Sequence, residues 1–555
     1  MSLQAKQGYV VPNSTAQVAR AILPEGSPVM RMFDELHMIV TDHDFADLFP
    51  TRGQPAEAPV RLALATLLQF MEGLTDRQAA HAVRTRIDWK YLLCLELSDT
   101  GFDHTVLSEF RSRLLEHGAE QRLFDAVLML AKTRGVLKAG GRQRSDSTHV
   151  LGAMRAMTRL EGVAETLRHA LDELATLAPE WLLAHTTPEW VNRYGLRSSE
   201  FHLPRSAADR QAWAARTGTD GMGLLEALVA EDKTLVLRRL PAVQTLRQVW
   251  VQNFLVANPT DGPPCVLWRT NDNAPPAKRY IGSPYDTDAR YAKKGSTVWS
   301  GYKLHLTETC DEATPNLITH VQTTPAAVTD DAVTGTIHAA LAERGLLPST
   351  HIADTAYVNA ELLVDARQRY GVDLVGPTRG DNHWQLKNGQ GFAARDFGVD
   401  FERQEATCPA GQTSTCWTTA LTHSGKPVIK VKFASKVCRR CPVASQCTDS
   451  MPPRRTISIR PQAEYEALRE GRAREKTRDY AAEYARRAGV EGTIAQAVRS
   501  HAARRTPYFG QLKTHLAHLM VATAMNIVRL LRWLADEPKA RTRRSAFVKL
   551  YRAVA

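Results

Sequence analysis

Apolar side chains recur every three to four residues in several stretches of the first 135 positions, which is the period of helices that pack along one face. In residues 59–73 they form a single stripe that begins with a proline in the first turn and ends at a glycine. Thr75 and Gln78 have the spacing of a capping box, and residues 104–118 show the amphipathic pattern again. We therefore predict an all-α domain over residues 1–135. A DNA-binding bundle and a plain packing domain are both compatible with this pattern.

A strand-like pattern appears in residues 297–310 and again in 316–326, and the short turn-forming segment between them predicts a hairpin. A helix, a short strand that ends at Asp354, a second helix and another strand follow. An earlier extended segment, introduced by a Gly-Gly turn, contains Asp146. This order of elements predicts an α/β core built on a mixed sheet.

Two long segments interrupt the predicted core. The first is again helical in its periodicity, and the second is rich in Thr, Val, Gly and Cys. We place the core in residues 136–155, 291–382 and 466–535, with a helical insertion at 156–290, a β-rich cysteine-bearing insertion at 383–465 and a basic tail at 536–555.

The composition is that of a folded globular protein, since 43% of the residues are hydrophobic and 23% are charged. No apolar run reaches the roughly 18–20 residues that a bilayer-spanning helix needs, so we expect no membrane partner. The first residues lack the apolar stretch of a secretory signal. We therefore expect a cytoplasmic protein, in which cysteines stay reduced or bind metal.

Positive charge is concentrated in the last fifth of the chain. Residues 451–555 contain 22 Lys and Arg against 9 Asp and Glu, a net charge of +13, whereas the rest of the chain has a net charge of −1. A localised basic surface is typical of nucleic-acid binders, although a solvated basic face that favours solubility has the same composition. Lys303, in the predicted hairpin, is a separate candidate for a phosphate contact.

Three acidic residues stand out by their positions. Asp146 lies in a predicted strand, Asp354 at the carboxyl end of another, and Glu491 on a mostly apolar helix face. A carboxylate on such a face is costly to bury unless it is paired or bound to metal. Taken alone, Glu491 is explained by an ion pair with Arg487, one helical turn earlier.

The order of the elements favours a common site for these acids. A central strand with one acid, a hairpin, a helix, a strand that ends in a second acid and a late helix with a third describe an RNase H-like fold. There the carboxylates can hold two magnesium or manganese ions, which activate the attacking oxygen and stabilise the leaving oxygen of a phosphoryl displacement. Oxygen ligands are also those that magnesium prefers.

A longer motif accompanies these acids. Tyr484, Arg487 and Glu491 match the spacing Tyr-x2-Arg-x3-Glu-x6-Lys/Arg, and the basic position falls one residue late, at Arg499. The segments SDSTHV, SGYKLHL and HIADTAYVNAELL precede it in that order. In these blocks and their order the sequence resembles the DDE transposases of bacterial insertion sequences, in the group that has this motif and an N-terminal helical domain.

The resemblance implies a role for individual residues. Asp146, Asp354 and Glu491 would be the metal-binding catalytic triad. The residues that would contact the DNA backbone are Tyr484, Arg487 and, at the late basic position, Arg499. Members of the family cut DNA at transposon ends and join the freed 3′-hydroxyl to target DNA. The expected partners are therefore the double-stranded DNA of the ends and of the target, and a second copy of the chain, because two active sites must act on two ends.

Five of the eight cysteines lie between residues 408 and 447. Cys438 and Cys441 have the spacing of a zinc knuckle, and Cys408 and Cys447 are the best further ligands for a structural zinc ion. Cys416 is a spare, or replaces one of the four. A set of reduced thiols and a zinc ribbon that recruits a partner protein are the alternatives.

Two other functions share most of these features. An RNase H-like nuclease would cut DNA without joining strands. A catalytically silent descendant would bind DNA without cutting it, although the presence of all three acids argues against that alternative.

Overall fold

A computed structural model of the chain describes residues 2–6, 8–154, 157–197, 204, 206–257, 265–380, 383–387, 391–539, 546, 547 and 550. Its N-terminal region is helical, as predicted. The helices are α1 (Asn13–Ile22), α2 (Pro28–Leu36), α3 (Pro59–Glu72), α4 (Asp76–Thr85), α5 (Ile87–Leu92), α6 (Thr105–Glu116) and α7 (Arg122–Thr133). Thr75 and Gln78 form the predicted capping box at the start of α4. Helix α3 ends at Gly73, whose φ of 69° costs a glycine no steric strain.

Strand β1 (Arg142–Leu151) follows and carries Asp146. A mostly helical segment comes next, with its own small hydrophobic cluster. Its elements are α8 (Arg159–Leu177), α9 (Pro179–His185), α10 (Glu189–Tyr194), α11 (Ala207–Ala230), α12 (Pro241–Asn253), β2 (Phe254–Ala257) and β3 (Cys265–Trp268). The antiparallel pair β2–β3 was not predicted, because the turn-rich sequence around it favours a linker.

The main sheet is completed by the segment that begins at residue 290. Its elements are β4 (Arg290–Lys294), β5 (Thr297–Thr309), β6 (Ile318–Pro325), α13 (Asp331–Glu343), β7 (Thr350–Ile352), α14 (Ala360–Tyr370) and β8 (Asp373–Val375). Strands β5 and β6 form the predicted antiparallel hairpin, and β5 also pairs antiparallel with β1 and β4. Strands β7 and β8 continue the sheet in parallel on the other side of β1. The protein is thus a mixed α/β structure, as predicted.

The cysteine-bearing segment forms small separate sheets. Its elements are α15 (Trp384–Lys387), β9 (Gly398–Asp400), β10 (Glu405–Thr407), β11 (Cys416–Leu421), β12 (Pro427–Lys432), α16 (Ser435–Arg439), α17 (Ala444–Cys447) and β13 (Thr456–Ile459). Strands β11, β12 and β13 pair antiparallel, and their apolar side chains enclose a hydrophobic cluster that is distinct from the main core.

Four helices end the described chain: α18 (Gln462–Arg474), α19 (Arg478–Ala485), α20 (Ala488–His501) and α21 (Gln511–Leu534). Helix α21 is buried along most of its length and packs against α3 and α7 on one side and β6 on the other. One continuous hydrophobic core therefore joins the N-terminal helices to the main sheet.

Within the described residues, no helix combines the length and the apolar character that crossing a bilayer requires. The predicted basic tail at 536–555 lies outside the described residues except for 536–539, 546, 547 and 550.

Candidate active site

Asp146 and Asp354 lie side by side because their strands are neighbours in the sheet. Strands β1 and β7 pair in parallel up to Arg144 opposite Ile352, and Asp146 and Asp354 each lie two residues beyond this last pair, at the same edge of the sheet. The Oδ1 atom of Asp146 accepts a hydrogen bond from the Ser147 N–H at 2.7 Å. Asp354 follows the end of β7, and its Oδ1 atom accepts one from the Ala356 N–H at 2.9 Å.

Glu491 reaches the same place from helix α20. This helix buries Val490, Ile494 and Ala497 and contacts β1 and β5. Glu491 lies in its first turn with a side chain that is 60% exposed. Packing of the apolar face on the sheet therefore brings a solvent-facing carboxylate to the edge where the two aspartates lie.

The three acids line one open pocket of about 440 Å³. The other polar and charged side chains in its wall are Ser147, Thr148, Lys294, Arg487, Arg499 and Arg504. Carboxylates and cations thus face the same cavity, an arrangement suited to a ligand that is itself anionic and that needs a cation at the acids.

Arg487 bridges two of the acids. Its Nη1 atom donates to Asp146 Oδ2 at 3.0 Å, and its Nη2 atom donates to Glu491 Oε1 at 2.8 Å. The guanidinium carbon also lies 5.8 Å from the centre of the Tyr484 ring. The helical ion pair that explains Glu491 on its own is therefore present, but it forms inside the pocket that contains both aspartates.

Burial raises the pKa of Asp146 above its ordinary value, and the nearby Asp354 carboxylate raises it further. The Ser147 N–H and the charge of Arg487 oppose this rise. Two close carboxylates repel each other unless a cation lies between them, so the site favours binding of positive charge at Asp146 and Asp354.

The donor types fit a divalent magnesium or manganese ion, since all three acids offer carboxylate oxygens. The side-chain arrangement does not yet provide the ligand set, because in the part of the chain that the structure describes no group of three His, Cys, Asp or Glu side chains is placed to hold a metal ion. The guanidinium of Arg487 lies between Asp146 and Glu491 and pairs with one oxygen of each.

The predicted DNA-contacting residues have different surroundings. Arg499 is exposed in the pocket wall, and Tyr484 is half-buried with its ring parallel to Tyr480. Lys303 is 16% exposed, and its ammonium donates to Asp330 at 2.8 Å and to the Val328 carbonyl at 2.7 Å. Its contact with DNA stays a prediction, which would require this internal ion pair to open.

A buried ionic network connects the strands and helices that form the pocket, and sequence reasoning missed it. Glu308, in β5, is fully buried and accepts hydrogen bonds from Arg144 at 2.8 Å, Thr493 at 2.6 Å and Arg529 at 2.9 Å. The network ties β1, β5, α20 and α21 together. An acid within the β5 pattern was the only sequence signal, and without the positions of the two arginines it could not be interpreted.

Four cysteines meet in the second insertion. Cys408, Cys438, Cys441 and Cys447 line one cavity of about 40 Å³, and the Gln412 N–H donates to Cys408 Sγ at 3.3 Å. Burial raises the pKa of the Cys447 thiol, and the other three cysteines add to this effect. Cys416 lies in β11 beside Thr418, away from that cavity.

Two family models match the chain. A transposase DDE domain matches residues 407–531, which include the cysteine cluster and Glu491 but neither Asp146 nor Asp354. A transposase domain (DUF772) matches residues 17–113, within the N-terminal helices. Searches of curated proteins and of solved structures return no match.

Proposed function

We propose, on the premise that its two transposase domains make this chain a DDE insertion-sequence transposase, that it binds the terminal inverted repeats of a bacterial element and catalyses metal-dependent cleavage and strand transfer. The observation that carries the proposal is the meeting of Asp146, Asp354 and Glu491 in one pocket. Asp146 and Glu491 are 345 positions apart in the sequence, and the three acids come from a strand, from the segment just after another strand and from a helix.

The sheet supports the finer fold assignment. On one side of β1, β5 pairs antiparallel with β1 and β6 pairs antiparallel with β5. On the other side, β7 pairs parallel with β1 and β8 pairs parallel with β7. This is the order expected of an RNase H-like core with an acid on the central strand and another on its parallel neighbour. We therefore propose that the core has that fold, with the first insertion after β1 and the second after β8.

Within this proposal the acids would hold two magnesium or manganese ions, which supply activation of the attacking oxygen and stabilisation of the leaving oxygen. The chain's own residues do the rest. Lys294, Arg499 and Arg504 present positive charge along the pocket wall and would hold the DNA phosphates. Tyr484 and Arg487 lie next to the acids and would position the backbone beside the cleaved bond.

The partners follow from the reaction. The N-terminal helices would grip the inverted repeat, and the excess positive charge of residues 451–555 would contact the DNA backbone. Two transposon ends require two active sites, so a homodimer on paired ends is part of the proposal. Cys408, Cys438, Cys441 and Cys447 would hold one structural zinc ion, because four thiolates leave no open position for chemistry.

The test uses the full chain, a duplex that carries an end of the element, and magnesium or manganese. Asp146→Asn, Asp354→Asn and Glu491→Gln should each lower strand cleavage at least about a thousandfold, the loss expected when an essential ligand is removed. Glu361→Gln, an exposed acid on α14 that pairs with Lys426, is the matched control and should leave cleavage unchanged.

Adding a supercoiled target plasmid separates the alternatives. Joined products support the transposase. Cleavage without any joined product would instead indicate a nuclease on the same fold. Binding of the duplex with no cleavage in either metal would indicate a catalytically silent derivative.

A further inference from the structure

Arg487 neutralises two of the three acids that would bind a cation. One guanidinium holds an oxygen of Asp146 at 3.0 Å and an oxygen of Glu491 at 2.8 Å. The other oxygen of Asp146 accepts the Ser147 N–H. A magnesium ion needs direct contact with such oxygens at about 2.1 Å, so the positively charged guanidinium competes with the ion for these carboxylates.

A DNA phosphate offers Arg487 an alternative partner. The planar guanidinium donates two parallel hydrogen bonds to a phosphate as readily as to a carboxylate. Lys294, Arg499 and Arg504 line the same pocket and attract phosphate to it. Arg487 lies at the junction of α19 and α20, so its side chain can change partners without movement of the sheet.

We infer that Arg487 couples metal loading to DNA binding by exchanging partners. In the DNA-free chain it holds Asp146 and Glu491 together and keeps the affinity of the pocket for divalent metal low. A phosphate of bound DNA takes up the guanidinium and frees both carboxylates for the metal. This inference rests on the proposed function of the pocket, and thermodynamic linkage requires that metal in turn tightens DNA binding.

Manganese binding to the full chain tests the exchange directly, with free Mn²⁺ measured by electron paramagnetic resonance. Without DNA, Arg487→Gln should bind Mn²⁺ about tenfold more tightly than the wild type, a typical coupling between two sites. A short duplex from the flank of the gene should raise the Mn²⁺ affinity of the wild type by a similar factor and leave that of Arg487→Gln unchanged. Mn²⁺ bound by the duplex alone is measured separately and subtracted. Arg487→Lys keeps the positive charge but loses the planar guanidinium with its paired donors. Its Mn²⁺ affinity without DNA should lie between those of the wild type and Arg487→Gln.

Arg504→Gln is the matched control. It removes a positive charge from the same pocket, but its guanidinium contacts Thr148 at 2.9 Å rather than the acids. Its Mn²⁺ affinity should rise much less than that of Arg487→Gln. Equal affinities of wild type and Arg487→Gln, or equal gains in the two variants, would overturn the exchange.

Failure of the proposed function has a different signature. Asp354→Asn should abolish the tight Mn²⁺ binding of Arg487→Gln, because Asp354 is the acid that Arg487 does not contact. If neither the wild type nor Arg487→Gln binds Mn²⁺, or if binding survives Asp354→Asn, the pocket is not the metal site and the proposed function fails with it. Thermal unfolding of each variant verifies that it is folded.

Discussion

Glu308 anchors the helix that bears Glu491 through a hydrogen bond to Thr493. It is fully buried, and its two oxygens accept hydrogen bonds from two arginines and from Thr493 on α20. Removing one partner of a buried ion pair leaves the other charge buried without a counterion, which lowers the free energy of unfolding by about 3–5 kcal/mol. Glu308→Gln should therefore lower the free energy of unfolding by about 3 kcal/mol in urea titrations, and DNA cleavage should fall as α20 loses its anchor.

Glu312→Gln provides the comparison. Glu312 lies four residues along the chain and pairs with Arg486, but its side chain is 86% exposed. Its replacement should change the free energy of unfolding by less than about 0.5 kcal/mol, as usual for surface sites. A Glu308→Gln protein as stable as Glu312→Gln would show that the buried network does not hold the helix.

Residue-level reasoning from the sequence singled out the three acids that line the pocket, but not the residues that support them. Asp146 and Asp354 were placed by the strand pattern, and Glu491 by helical spacing. The same spacing predicted the Arg487–Glu491 ion pair, which the structure contains. The contact of Arg487 with Asp146 could not be predicted, since it joins residues 341 positions apart and depends on how α20 crosses the sheet.

At the scale of elements, the sequence predicted helix ends best where the stabilising contacts lie within a few residues of each other. The capping box at Thr75 and the glycine end of α3 are satisfied within a few residues and are present. Strands β2 and β4 were missed because they are four and five residues long and depend on pairing with β3 and β5. Tertiary contacts, which a single sequence does not reveal, stabilise such strands.

A buried histidine pair links α13 to the sheet and makes the packing sensitive to pH. His338 on α13 lies 2.8 Å from His351 on β7, and His351 lies 2.7 Å from Ser145 on β1. Burial lowers the pKa of His338 to about 4 and holds that of His351 well below its ordinary value. Both rings are therefore neutral in the folded protein at neutral pH.

The sign of the pH effect follows from linkage. Below the unfolded-state pKa of about 6.5 the unfolded chain binds protons that the folded chain does not, so stability falls as pH is lowered toward 4. His338→Gln should reduce this slope by about 1 kcal/mol per pH unit in urea titrations between pH 6 and 4.5. The exposed His423→Gln should keep the wild-type profile, and equal slopes for all three proteins would contradict the assignment.

At the scale of the whole molecule, the chain is organised around separate hydrophobic clusters. The largest joins the N-terminal helices to the main sheet through α21, so these two parts should unfold together. The helical insertion and the cysteine-bearing segment each have a cluster of their own. The sequence indicated the insertions by their composition, but it could not show that the N-terminal region shares its core with the sheet.

On the proposal that Cys408, Cys438, Cys441 and Cys447 hold zinc, this organisation predicts that loss of the ion is a local event. Cys408, Cys438 and Cys447 pack against the cluster formed by β11, β12 and β13, whereas the acids lie on the main sheet and on the helix packed against it. Cys438→Ser should therefore remove about one zinc ion per chain, as measured by elemental analysis, since a structural site needs all four ligands. Amide exchange in β11–β13 should accelerate at least about tenfold, while β1 and β5 keep their protection.

Cys416→Ser separates ligation from the mere loss of a thiol. Cys416 belongs to the same sheet but bonds to Thr418 outside the cavity, so its replacement should retain both the zinc and the protection of β11–β13. Equal zinc loss in the two variants would assign Cys416 to the site, and a wild-type chain without zinc would leave the four cysteines as reduced core thiols. Faster amide exchange in β1 after Cys438→Ser would show that the cysteine-bearing segment and the main sheet fold as one unit. If their hydrophobic clusters are independent, loss of structure in one does not lower the protection of the other.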